Sequence, residues 1–330
     1  MGKIRSSFYS EQLNKIPLKD VEQRISLYKR ILQRELRRKG VSFDFHIWVS
    51  DDWFCPDGVP GFAIPFYLFH PELLKIEKQE IGYVEGCSEK QILKLMRHEL
   101  GHCIDNAFRL RKNKLRQEIF GSHRIEYPDF YTPKKYSKSF VHYLGDNYAQ
   151  SHPDEDFAET FAVWLDPQSC WENRYKNTPA FKKLVFMKKL MREVGQKKSK
   201  LKNKNRVDPI ERIKKTLKEH YFEKRSRLGL RKLDRIDREL KVFSNAVKGP
   251  GPEVSVSSYL REERKKLCKR LALETDSYQY HINYVITKTI ERAQKMQITM
   301  TKEQLREKTP LLIEKNFRYL KEKRELRFYL

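Results

Sequence analysis

His98 and His102 stand four residues apart in the run HELGH, with Glu99 directly after the first histidine. On an α-helix, residues four apart share a face, so both imidazoles can offer a nitrogen to one metal ion while the carboxylate lies beside them. Two imidazoles, one carboxylate and a divalent cation are the minimum for metal-assisted hydrolysis, in which the ion acts as Lewis acid and Glu99 takes a proton from water. The plainer alternative is a buried helix that happens to carry two histidines. A third ligand decides between them.

For this chemistry the run must lie inside a helix that is itself buried. In SEKQILKLMRHELGHCIDNAFRL, Ser88 and Gln91 make a capping box, and Ile92, Leu95, Met96 and Cys103 form an apolar stripe, with the end expected near Leu110 to Lys114. Cys103 points about 100° away from His102 around the helix, which assigns it to packing.

The third ligand is sought on a second helix, SHPDEDFAETFAVWLDP, with Ser151 or His152 at the cap, Pro153 at the first helical position and Phe157, Phe161 and Leu165 on a core face. Acids in its first turn, Asp154, Glu155 and Asp156, would be satisfied by the helix dipole alone. Glu155 and Glu159, however, lie four apart on an otherwise apolar helix, and two inward carboxylates need a cation. A zinc ion on His98 and His102 is the available one, which makes Glu155 the third ligand.

Further elements frame these two. Residues 17–38 read as a helix with Leu18, Val21, Ile25, Tyr28 and Leu32 on one face, and 41–50 as a strand in which His46 is a sheet residue. The next apolar run is broken by Pro65. It is either an edge strand to which a peptide substrate adds, or a core strand with a bulge. Residues 115–152 lack periodicity and carry Tyr127, Tyr131, Tyr136, Tyr143 and Tyr148 with Pro128 and Pro133, a composition expected of a packed cleft wall.

HELGH, followed some fifty residues later by HPDEDFAETFAVWLDP and preceded by DGVPGFAIPFYLFHPEL, resembles the bacterial zinc-binding metallopeptidases of gluzincin type, over roughly residues 40–195. It is more distantly similar to the catalytic domain of anthrax lethal factor. The resemblance implies a zincin-like α+β fold, one Zn2+ per chain, His98, His102 and Glu155 as ligands, and Glu99 as general base. It further implies that Glu159 orients a ligand histidine, in keeping with the way ligand imidazoles hold carboxylates. In the lethal factor comparison a tyrosine seven residues before the ligand glutamate helps stabilise the oxyanion, and that position is Tyr148 here. Cleft packing is the alternative for this residue.

Composition adds a second theme. Net charge is +25, and residues 196–330 hold 37 Lys+Arg against 18 Asp+Glu, whereas 1–195 hold 32 against 26. This asymmetry predicts a peptidase domain over 1–195, a basic linker over 196–208 and a basic α-helical domain over 209–330, the last attracted to nucleic acid or an acidic partner. The expected helices are 209–226, 228–247, 257–274, 277–299 and 302–325, with Ile282, Val285, Ile286 and Ile290 on a buried face and Tyr259 and Tyr278 among the charges. Five cysteines without paired spacing, no secretory signal and no membrane-length apolar run predict a cytoplasmic protein with no membrane partner. The residues alone leave three rivals to a simple peptidase: a nucleic-acid-associated protease, a non-catalytic module with a structural zinc site, and a hydrolase of non-peptide amides.

Overall fold

In the computed structural model, which describes residues 7–81, 84–128, 131, 134, 136–145, 147–227, 233–244, 251–275 and 279–322, the chain divides into two units, Met1–Glu223 and Lys224–Tyr329. Helix predominates and two small two-stranded sheets accompany it, so the fold is α+β.

The first unit opens with α1 (Val21–Arg38), which buries Tyr28, Leu32 and Leu36. It begins four residues later than Pro17 suggests, because Asp20 takes a left-handed conformation and the Lys19 N–H donates to the Phe69 carbonyl instead of entering a helix. Strands β1 (His46–Ser50) and β2 (Gly61–Pro65) pair in parallel, from His46 opposite Gly61 to Ser50 opposite Pro65. All five residues of β2 are buried, and the Ala63 N–H donates to the Phe54 carbonyl. These features fit the core-strand alternative, with Pro65 ending the strand where no further ladder donor is needed.

Next come α2 (Pro71–Ile81), α3 (Glu89–Phe108) and α4 (Lys114–Phe120). Ser88 caps α3 by accepting from the Gln91 N–H at 3.3 Å, and Gln91 Oε1 accepts from the Cys87 N–H. Arg109, left-handed at φ 55°, stops the helix. Farther along come α5 (Pro153–Leu165), the short α6 (Trp171–Arg174) and α7 (Pro179–Gly195). Helices α3 and α5 cross at Gly101, where a Cβ would lie 2.9 Å from the Ala158 Cα.

The first unit does not end at residue 195. Residues 201–206 form neither helix nor strand, yet they are not a free linker. Leu201 N donates to Ala107 O, Asn203 Nδ2 to Gly58 O and Trp48 Nε1 to Val207 O, binding the segment to α3, the 56–58 turn and β1. The chain then makes a bridge between Gln12 and Thr216 and enters α8 (Leu217–Arg227). The domain boundary therefore falls at Glu223 rather than within 196–208. A charge count could not reveal this, because the anchors are uncharged backbone groups and asparagines.

The second unit comprises α9 (Leu233–Ser244), β3 (Glu253–Ser255), α10 (Val256–Glu274), α11 (Gln279–Lys295), β4 (Thr299–Thr301) and α12 (Lys302–Glu322). Its core contains Ile282, Val285, Ile286 and Ile290 with Leu260, Leu271, Leu305, Ile313 and Phe317. The helix expected over 277–299 stops at Lys295: Gln297 is left-handed, and Thr299–Thr301 pairs antiparallel with β3. Tyr278 and Pro133 lie outside the described residues, as do parts of the expected helices 228–247, 277–299 and 302–325. Among the described residues no helix is long and apolar enough to cross a membrane.

Candidate metal centre

The crossing of α3 over α5 brings His98, His102 and Glu155 together, all buried. His98 Nε2 lies 3.0 Å from Glu155 Oε2, His102 Nε2 lies 3.2 Å from the same oxygen, and the two nitrogens are 3.2 Å apart. A tetrahedral zinc with ligands at about 2.0–2.1 Å separates them by about 3.3 Å, so the triangle has the size of one face of such a tetrahedron.

The protonation pattern says what this triangle is for. Glu159 Oε1 lies 3.0 Å from His98 Nδ1, and a carboxylate there accepts the Nδ1–H and leaves the Nε2 lone pair aimed at Glu155 and His102. With the His102 proton on Nδ1 as well, three acceptors face one point, an arrangement that only a cation or added protons can satisfy. The side-chain electrostatics agree. Burial disfavours charge on His98, but Glu155 and Glu159 outweigh it and push the imidazole well above its usual pKa. Burial opposes the Glu155 charge as well, and His102 and His98 outweigh it, holding this carboxyl well below the usual carboxylate range.

The second carboxylate of α5 does more than face inward. Glu159 Oε2 accepts the N–H groups of Tyr143 at 3.2 Å and Leu144 at 3.0 Å, so the residue that meets His98 also pins the irregular 140s chain to the site. Glu99, buried beside the two histidines, makes no hydrogen bond among the described residues. Burial pushes its carboxyl above the ordinary value although His98 and His102 pull the other way. A buried carboxylate without a fixed partner is disposed to take up a proton.

Tyr148 packs its ring 5.4 Å from that of His98, tilted 53°, and its hydroxyl has no hydrogen bond among the described residues. Burial raises this phenol well above its usual pKa, so it stays a donor. His46 is remote in role, its Nε2 bonded to Asn205 O at 2.7 Å. His152 caps α5, accepting from Asp154 N through Nδ1 and meeting Ile125 O through Nε2. Cys103 is fully buried, and burial raises its thiol pKa.

Several residues at the centre are not evident from the sequence. Tyr127 donates to Glu155 Oε1 at 3.0 Å and stacks on His152 with ring centres 3.7 Å apart, fixing the carboxylate whose other oxygen faces the histidines. Nothing distinguishes it from its neighbours in a tyrosine-rich stretch. Arg97, next to His98, holds Glu35 with two bonds of 2.8 and 2.7 Å and also meets Tyr143 Oη and Asp166 Oδ2. Arg116 is wholly buried and joins Asp105 to Asp154 at 2.8 and 2.6 Å. A charge among apolar helix residues was the available signal for Arg97, the same reasoning that singles out Glu159. The three acids opening α5 thus have three different partners: Asp154 the arginines, Glu155 the histidines and Asp156 Lys183 at 2.6 Å.

Residues 86–207 match the sequence model of a family described as "Putative zinc-binding metallo-peptidase". The matched span contains the His98–Glu159 constellation entire and reaches the anchored segment that ends at Val207. No curated protein and no solved structure matches the chain.

Proposed function

We propose that the protein is a zinc-dependent peptidase whose centre is built by His98, His102 and Glu155 on the crossing of α3 and α5. The observation that carries this reading is the buried triangle of potential donor atoms with a buried carboxylate, Glu99, beside its histidines. The donor set of two imidazoles and one carboxylate fits zinc and leaves a coordination position for reactants. When bound, the ion supplies Lewis acidity that polarises the scissile carbonyl and acidifies water.

The chain's own groups do the rest. Glu99 takes the proton of the attacking water and passes it to the leaving amine, a transfer favoured by its raised pKa. Glu159 holds His98 in the tautomer that presents Nε2. Tyr127 holds Glu155, and the Tyr148 hydroxyl serves as hydrogen-bond donor to the developing oxyanion. Five free cysteines support a reducing, cytoplasmic setting. Incubation of wild type and Glu99→Gln, at matched zinc content, with a mixed peptide pool read by mass spectrometry tests the reading. New termini should form with the wild type only. Equal cleavage by both proteins would remove Glu99 from the mechanism, and cleavage by neither would make the zinc site structural.

A further inference from the structure

The segment 197–207 carries a regularity that the peptidase reading does not use. Lys198, Lys200, Lys202, Lys204 and Arg206 are all exposed, whereas the intervening Ser199, Leu201 and Asn203 are partly buried. The side-chain anchors fall between the cations, Ser199 Oγ donating to Ala107 O at 3.3 Å and Asn203 Nδ2 to Gly58 O at 3.0 Å, while the backbone N–H groups of Lys200, at 2.9 Å, and Leu201 both donate to Ala107 O. Farther along, His46 Nε2 meets Asn205 O, Trp48 Nε1 donates to Val207 O and Ser50 Oγ donates to Asp208 O, so alternate residues of β1 hold successive parts of the run. Period two in burial over 198–204 is the signature of an extended chain, with a bend at Lys200 where two successive N–H groups share the Ala107 carbonyl.

Five exposed cations therefore stand at alternate positions of one anchored segment, and beyond the bend at Lys200 an extended backbone would repeat them about every 6.6 Å. The four lysines make no ion pair among the described residues. Arg206 reaches Glu211 at 3.7 Å, and the nearby acid Asp57 is already bonded to Arg111 at 2.7 Å. Holding like charges in a fixed row costs repulsion, which a polyanion relieves.

We infer that this row is a binding surface for the sugar–phosphate backbone of single-stranded nucleic acid. The repeat of the row is comparable with the separation of successive phosphates along an extended strand. Four of the five cations are lysines, point charges that meet phosphate oxygens without a fixed bidentate geometry, as contact with a flexible backbone of variable sequence requires. The Trp48 indole behind the row is buried and occupied with Val207 O. With no aromatic platform in the row, contact is with the backbone alone and independent of base sequence. The anchor at Ala107, five residues beyond His102 on α3, ties the bound strand to the helix that carries the candidate metal centre.

The test uses the full-length protein and does not depend on hydrolysis. Anisotropy of a labelled oligothymidylate long enough to span the row is measured across a salt series for three proteins. These are the wild type, a variant with Lys198, Lys200, Lys202 and Lys204 all changed to Ser, and a control with the exposed Lys75, Lys78, Lys90 and Lys182 changed to Ser. The row variant should bind at least about tenfold more weakly than the control at physiological salt, and its salt slope should fall by about 0.7 for each lost phosphate contact. Changing the same four lysines to Arg should preserve binding. Because all eight side chains are exposed, both serine variants should melt at the wild-type temperature. Equal losses in row variant and control would overturn the inference, as would no binding by the wild type. Tighter, row-dependent binding of duplex, polyglutamate or phosphatidylserine vesicles would also overturn it, in favour of that partner.

Discussion

Gly101 and Ala158 set how closely the two site helices approach: a Cβ on Gly101 would meet the Ala158 Cα at 2.9 Å and the Ala158 carbonyl oxygen at 3.2 Å. The glycine of HELGH thus helps set the geometry of the candidate metal centre although it offers no donor atom. Its two nearest neighbours across the crossing are Ala158 backbone atoms, which cannot swing aside as a flexible side chain would, and the third is the Phe161 ring at 3.2 Å.

Gly101→Ala should therefore destabilise the protein. Alanine gains about 1 kcal/mol of helix propensity, but overpacking a rigid crossing costs about 1–3 kcal/mol and also moves His98 and His102 away from Glu155. Thermal melts should show a lower midpoint, and chelator competition weaker zinc binding. A variant as stable as wild type with unchanged affinity would mean that the helices can separate without harm to the site.

Glu159→Ala should weaken zinc by about 10–100-fold, the usual effect of losing an outer carboxylate that orients an imidazole. Glu155→Ala, which removes one of the three convergent donors, should cost more. Competition against a chromophoric chelator ranks the two, and the opposite order would exchange their roles.

Tyr127→Phe and Tyr148→Phe separate holding from catalysis. The first removes the 3.0 Å bond to Glu155 and should lower zinc affinity. The second removes a hydroxyl with no hydrogen bond among the described residues while keeping the ring that packs on His98, so it should leave zinc in place while lowering kcat by about 10²–10³-fold, the usual effect of losing one oxyanion donor. Loss of metal in Tyr148→Phe would contradict the division.

The pairing of Arg97 with Glu35 is buried on both sides. Glu35→Ala leaves the guanidinium with Asp166 and Tyr143 alone and should cost about 3–5 kcal/mol in urea denaturation. Replacing both by apolar residues, Glu35→Leu with Arg97→Met, should recover much of the loss, since no uncompensated charge then remains.

Acidity should act in opposite directions on the loaded and metal-free protein. In the metal-free site, Glu155 and Glu159 overcome burial and raise the pKa of His98, and Glu155 does the same for His102. That stabilisation is fully present below the unfolded histidine pKa of about 6.5 and is lost as pH rises through the raised folded values. Zinc binding must displace those protons, so zinc affinity should fall as pH falls. Urea midpoints of chelated protein should decline from mildly acidic to alkaline pH while those of zinc-loaded protein do not. A rising midpoint for the chelated protein would refute the assignment of charge.

What could be read in advance follows a physical division. Spacing along one helix is a local property, so HELGH and the Glu155–Glu159 pair were visible, as was the apolar face of α11 with Ile282, Val285 and Ile286. Partners distant in sequence were not. Tyr127 reaches Glu155 only through an irregular chain, and the anchoring of 199–207 depends on carbonyls of Ala107 and Gly58 and on side chains of β1, none of which leaves a pattern within the segment. Strands β3 and β4 are three residues each and are hidden for a related reason: each is defined by the other, with α10 and α11 lying between them in sequence.

Zinc per chain, measured by elemental analysis on purified wild type beside Glu155→Ala, tests the central claim most directly. About one equivalent in the wild type and little in the variant is the result expected of a three-donor centre. A wild type without affinity for zinc, or a variant that retains the full equivalent, would contradict it.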